Sequence, residues 1–252
     1  FETDPQVNPL WTLDDPNPGT VFTTAAGAFT WDQPRQDPDF DNWCGFNRTP
    51  YLWHPVGSLM DFSMLVHLDI TREEGHSVSS HHGLMLDIPG RDLAMYGFIR
   101  DEIQAEGCGS WFGAHAATEP YPREGWFRID KIGTLGNYYF YYKRADADPW
   151  TLQATVANLG GTNQPVRADL FVKNWGGGGS PHTITNFFDA CIVGVPYPPQ
   201  NVACTLDGEA VNLSWSLMPG TVAGSIQILR AGEQIADLAG DATSYTDEDP
   251  GW

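Results

Sequence analysis

The stretch 125–151, GWFRIDKIGTLGNYYFYYKRADADPWT, constrains the fold of this 252-residue chain more than any other. Two runs of alternating aromatic, β-branched and charged residues flank Gly133-Thr134-Leu135-Gly136-Asn137, the residue types of a hairpin with a short glycine-containing loop. In the first arm Trp126, Arg128 and Asp130 share one face, and Phe127, Ile129 and Lys131 share the other. The second arm sets Tyr138, Phe140 and Tyr142 against Tyr139 and Tyr141. A strand that is aromatic on both faces belongs inside a two-layer stack or along a groove.

The same period of two recurs along the chain. Residues 61–70 place Phe62, Met64, Val66, Leu68 and Ile70 on one side and Ser63, Leu65, His67 and Asp69 on the other, a half-buried strand. Short strands are also expected at 21–24, 28–31, 81–88, 93–100, 152–156, 166–172 and 183–193. No helix-length amphipathic run with caps interrupts them. The 27 glycines and 19 prolines fit many strands joined by tight turns. Residues 101–124 read as a long acidic loop carrying Trp111, Phe112, His115 and Tyr121, the kind of segment on which a rigid sandwich carries function.

Thirteen Lys and Arg against 32 Asp and Glu give a net charge of −19. Such a surface repels a phosphate backbone, so nucleic acid is excluded as a partner. It suits an extracellular or cell-surface location. No apolar run is long enough for membrane insertion as a helix, and the four cysteines form no zinc pattern. Cys44 with Cys108, and Cys191 with Cys204, are the first disulfide pairing to consider among three connectivities. Asn47-Arg48-Thr49 and Asn212-Leu213-Ser214 are glycosylation sequons.

Four stretches in order carry a resemblance: Arg48-Thr49-Pro50-Tyr51-Leu52 ahead of Asp61-Phe62, His82-Gly83-Leu84-Met85-Leu86, the central hairpin running into Asp148-Pro149-Trp150-Thr151, and Asn186-Phe187-Phe188-Asp189. Together they resemble a secreted bacterial family of concanavalin A-like jelly rolls of the LamG type. After Val195-Pro196-Tyr197-Pro198-Pro199, the segments 211–215, 226–230 and 243–247 resemble the start of a fibronectin type III module, with Trp215 at its core-tryptophan position. The resemblances imply an all-β chain: a concanavalin A-like jelly-roll β-sandwich over 1–194, a proline-rich linker at 195–199, and a partial fibronectin type III-like β-sandwich over 200–252. They also imply that the two strands closing the second module come from further chain or from a neighbouring subunit, unless the module is an atypical small sandwich complete as it stands. Glu2, Asp4 and Asp189 match the positions at which such jelly rolls hold Ca²⁺, the one cofactor expected.

Three constellations bear on function. The Glu-x-Asp-x-x-Glu strand of laminarinase-type hydrolases is absent, and Asp101, Glu102 and Glu106 read as solvated surface. Arg100, His82 and Tyr139 supply the residue types of a polysaccharide lyase without its spacing. Among the histidines, the neighbours His81 and His82 point to opposite faces of a strand, so they cannot share a metal. His82 is the one expected in a groove. Aromatics are the third: tryptophans in turn-rich segments stack on the C–H faces of sugars, with polar side chains taking the hydroxyls. Trp53, His82, Tyr96, Arg100, Trp111 and Trp175 are the candidate ligand-binding residues. The function expected is non-catalytic carbohydrate binding or cell adhesion, with a polysaccharide or cell-surface glycan as partner. The alternatives are a polysaccharide-active lyase or hydrolase, and a structural subunit of an extracellular filament or surface layer.

Overall fold

The computed structural model describes residues 11–16, 18–25, 27–35, 40, 49–57, 59–73, 79–89, 93–99, 102–107, 110–115, 123–133, 136–159, 164–175, 182–196, 199–217 and 225–248. The side chains of 79, 93, 110, 111 and 113–115 lie outside the description. Backbone contacts divide the chain into two compact units, 1–56 with 61–193 and 57–60 with 194–252.

The first unit is a sandwich of two seven-stranded sheets. Sheet A runs β1 (Thr12–Asp14), β4 (Tyr51–Pro55), β13 (Arg167–Trp175), β6 (Ser79–Asp87), β7 (Leu93–Ile99), β8 (Glu102–Gly107), β9 (Ser110–His115). Sheet B runs β12 (Thr151–Val156), β11 (Asn137–Lys143), β10 (Arg123–Ile132), β5 (Leu59–Glu73), β14 (Thr183–Pro196), β3 (Ala28–Gln33), β2 (Val21–Ala25). The two runs of the aromatic hairpin pair as β10 and β11, with Ile132 opposite Asn137, and the Gly136 N–H closes the turn onto the Gly133 carbonyl at 3.0 Å. Both turn glycines have positive φ, 78° and 67°, a conformation that glycine adopts without a Cβ penalty.

Alternation decides which side chains are inside. Phe62, Met64, Val66, Leu68 and Ile70 of β5 are buried, while Ser63, Leu65, His67 and Asp69 between them are half-buried. At roughly 2 kcal/mol for each buried apolar side chain, this row alone is a large stabilising term. From sheet A, Leu84, Leu86, Tyr96, Phe98, Leu170 and Val172 fill the other side of the core. Tyr96 meets Phe127 and Phe140 edge-on at 5.4 and 5.3 Å, and Phe98 meets Phe127 at 4.9 Å. Gly125 makes room here, since a Cβ at this position would stand 3.1 Å from the Phe98 ring.

The interior also holds a polar layer. Glu73 pairs with Arg123, both nearly solvent-free, and accepts from the Ser80 hydroxyl. His82 and Thr185 share a hydrogen bond of 2.7 Å across the two sheets. Burial, reinforced by the charge of Arg123, pushes His82 well below its ordinary pKa, so the ring is neutral.

The second unit contains a three-stranded sheet, β15 (Gln200–Asp207), β16 (Ala210–Ser216) and β19 (Ser244–Asp247), and a two-stranded sheet, β17 (Ser225–Arg230) with β18 (Glu233–Ala239). Trp215 is its buried anchor, and the indole N–H donates to the Ala242 carbonyl at 2.8 Å. Val202, Leu206 and Leu229 stay exposed, because three and two strands cover little of each other's apolar surface.

One expectation needs correction. The acidic stretch read as a loop contains β8 and β9, and in β8 Ile103 and Ala105 alternate with Glu102, Gln104 and Glu106. Strand β14 continues through Pro196 into the proline-rich segment. Cys191, on β14, and Cys204, on β15, are exposed, each carried by a different unit. Cys44 and Cys108 lie outside the described residues.

Candidate functional site

The face of sheet A turned away from sheet B carries a row of side chains set by register. Tyr51 of β4 lies opposite Phe171 of β13, Phe171 opposite Gly83 of β6, Gly83 opposite Gly97 of β7, and Gly97 opposite Gln104 of β8. One step of two residues to one side come Trp53, Asp169, Met85, Met95 and Glu106, and one step to the other Lys173 and His81. Tyr51, Met85, Met95 and Phe171 pack as a small apolar cluster with Trp53 half-buried against it.

Within this face His81, Glu106 and Lys173 form a solvent-poor charged group. His81 Nδ1 lies 3.1 Å from a Glu106 carboxylate oxygen, and Lys173 Nζ lies 3.7 Å from the same oxygen. Lys173 also stands 4.6 Å over the ring of Trp175. Burial alone would raise the Glu106 pKa, but the hydrogen bond from His81 and the charge of Lys173 hold it below the ordinary carboxylate range. Burial lowers the His81 pKa, so its ring is neutral. An ionised carboxylate only accepts, hence the His81 proton resides on Nδ1 and the Nε2 lone pair is bare. His81 Nε2 is buried and has no partner among the described residues.

Two further buried atoms on this face are unmatched. Gln104 donates its amide N–H to Glu102, which orients the amide and leaves Oε1 without a donor. Asp169 accepts from Arg167 Nε at 3.2 Å through Oδ2, and its Oδ1 has no partner. Burial first, then the negative charge of Asp87, outweigh Arg167 and push the Asp169 pKa up to about 8. Arg167 spans Asp169 and Asp87, the latter at 3.5 Å, and lies 4.9 Å over the Tyr51 ring.

The residues expected to bind ligand separate. Trp53 and Trp175 lie on this face. His82 and Tyr96 do not: both are solvent-free between the sheets, with the Tyr96 hydroxyl donating to Gln153 at 3.0 Å. Trp111 pairs in backbone register with Glu106, and its side chain lies outside the description. Arg100 lies outside the described residues, as do Glu2 and Asp4 of the expected calcium site, whose third member Asp189 is exposed on β14. The lyase-type set does not converge, since His82 faces the core and Tyr139 is half-buried on the outward side of sheet B. Among the described residues no group of three or more His, Cys, Asp or Glu side chains is arranged to hold a metal.

His81, Gln104, Glu106, Asp169 and Lys173 were not among the candidates. Arg167-x-Asp169-x-Phe171-x-Lys173-x-Trp175 does alternate with Ala168, Leu170 and Val172, so the polar row of β13 could be read from sequence. Its meeting with His81 and Glu106 depends on the strand order β13-β6-β7-β8, which no local pattern reveals.

No protein-family profile and no curated protein sequence matches this chain. Solved structures do. The alginate lyase AlgAT5 of polysaccharide lyase family 7 superposes with a TM-score of 0.55 at 11% identity, over 73% of this chain and 94% of its own. A bifunctional GH43-CE protein of Bacteroides eggerthii gives 0.53 at 14% identity, over 77% of this chain. The Bacteroides ovatus xyloglucan-locus protein GH43B gives 0.53 at 12% identity, over 76%. The matched region spans 26% and 38% of those two longer chains. Likeness at such low identity concerns the arrangement of strands, and the fold is that of a concanavalin A-like jelly-roll β-sandwich.

Proposed function

We propose that this chain binds a polysaccharide on the outward face of sheet A, in an extracellular setting that its acidic surface suits. The carrying observation is that His81 Nε2, Gln104 Oε1 and Asp169 Oδ1, all buried and without partners among the described residues, lie on one face with the half-buried indoles of Trp53 and Trp175. Polar atoms without partners recognise ligand groups specifically, and indoles supply stacking surface. Fold likeness to a polysaccharide lyase and to glycoside hydrolase family 43 proteins supports the reading without deciding between binding and catalysis. In affinity electrophoresis against a polysaccharide panel, at least one gel should retard the chain, and Trp53→Ala and Trp175→Ala should each weaken that retardation about tenfold or more. Mobility unaffected in every gel, or retardation indifferent to both substitutions, overturns the proposal.

One observation favours depolymerisation as a second reading. A neutral imidazole oriented by a carboxylate, with its other nitrogen bare, has the geometry of a general base. Release of new chain ends from a bound polysaccharide, lost in His81→Ala while binding persists, would establish it. Binding without release of ends leaves the non-catalytic reading.

A further inference from the structure

On the reading that the outward face of sheet A binds a polysaccharide, we infer that the sugar is uncharged and is held by hydroxyl groups donating to His81 Nε2 and Gln104 Oε1. Both atoms are acceptors. The proton of His81 is committed to Glu106, and the amide hydrogens of Gln104 face Glu102, a carboxylate that cannot donate in return. A sugar hydroxyl can donate to such a lone pair. A carboxylate or sulfate oxygen cannot, and against two lone pairs in a poorly solvated site it is repelled.

The cations of this face point the same way. Lys173 is held by Glu106 and lies over Trp175, and Arg167 is held by the Asp87 carboxylate at 3.5 Å. Among the described residues of the face, both cations therefore already oppose a carboxylate, and an anionic sugar would have to compete with it. The net charge of −19 adds long-range repulsion toward any polyanion. Gly83 and Gly97 carry no side chain where His81 reaches across to Glu106, and a Cβ at either would collide with the backbone of Tyr96 or His82.

Isothermal titration calorimetry tests this with oligosaccharides of xyloglucan, β-1,3-glucan and mannan against those of alginate, polygalacturonate and chondroitin sulfate, at low and high NaCl. The expected result is binding within the neutral set at an affinity insensitive to salt. Gln104→Leu and His81→Phe should each weaken it about tenfold, the effect of one lost hydrogen bond in a buried site, with melting curves confirming folded protein. Should His81→Phe fail to fold, Gln104→Leu carries the test. Binding of the anionic set alone, weakened by salt, overturns this inference and leaves the polysaccharide reading standing. Neutral binding that neither variant changes overturns it as well. No binding in either set removes both.

Discussion

Sheet A and sheet B both turn tryptophans, tyrosines and charged residues away from the interior, yet their outward faces engage these groups differently. On sheet B, His67 stacks on Trp126 with ring centroids 3.8 Å apart and reaches Glu124 at 2.8 Å. Arg128 covers Tyr141 at 4.2 Å and Trp150 at 5.0 Å while pairing with Asp130, and Lys143 faces Trp126 and Trp150. Arg128 Nε and Asp130 Oδ1 are also buried atoms with no partner among the described residues, but their side chains keep 23% and 14% exposure. On sheet A, His81 and Asp169 have no exposure at all. Abundance of outward aromatics therefore does not mark a binding face. What sets sheet A apart is that its unmatched polar atoms belong to side chains wholly or almost wholly out of solvent.

The largest effect expected from this contrast is a pH dependence on sheet A. The Asp169 pKa stands at about 8 in the fold against 3.8 for an unperturbed aspartate, so between those pH values the native state keeps a proton that the unfolded chain releases. Its stabilising contribution is complete below about pH 4 and is lost as pH rises to about 8, several kcal/mol on the order of the shift. Asp169→Asn should flatten the decline in melting temperature between pH 5 and 8 relative to the parent chain. Parallel melting curves for the two across that range would break the assignment of a neutral Asp169.

A smaller effect sharpens the comparison from both sides. Glu106→Ala removes the carboxylate that His81 and Lys173 share in a solvent-poor site and should cost about 3–5 kcal/mol in urea denaturation. Glu124, 54% exposed, is the corresponding carboxylate of sheet B, and Glu124→Ala should cost under about 1 kcal/mol. Equal costs would mean that the two faces are equally wet.

The layers of the fold were legible where one face of a strand is buried and the other half-exposed. Strand β5 and the hairpin β10–β11 follow directly from alternation. The site was not, and β6 shows why: Leu84 and Leu86 are buried inward while Met85 is equally buried outward, so the strand is apolar on both sides. Polarity then gives no sign of which of His81 and His82 faces the core, and it is His82 that does. Glu106 was obscured differently, because Glu102, Gln104 and Glu106 resemble a solvated acidic run unless Ile103 and Ala105 between them are given weight. In the second unit, a row of exposed positions in β15 shows the opposite limit, a strand whose apolar residues Val202 and Leu206 find little to pack against.

The smallest effect concerns the face whose polar side chains stay partly exposed. Trp126 lies between the stacked His67 ring and Lys143, whose ammonium stands 5.5 Å from the indole centroid, and it contacts no buried unmatched polar atom of sheet A. Replacing it by leucine keeps apolar area over β10 and removes the stack and the cation–π contact, each worth about 0.5–1 kcal/mol at a partly exposed position. Trp126→Leu should therefore lower stability by roughly 1–2 kcal/mol in urea denaturation and leave polysaccharide affinity unchanged, the reverse of Trp53→Ala, which should weaken binding with a milder loss of stability. A Trp126→Leu chain that remains stable but loses polysaccharide would move the binding face to sheet B and overturn the distinction on which the functional reading rests.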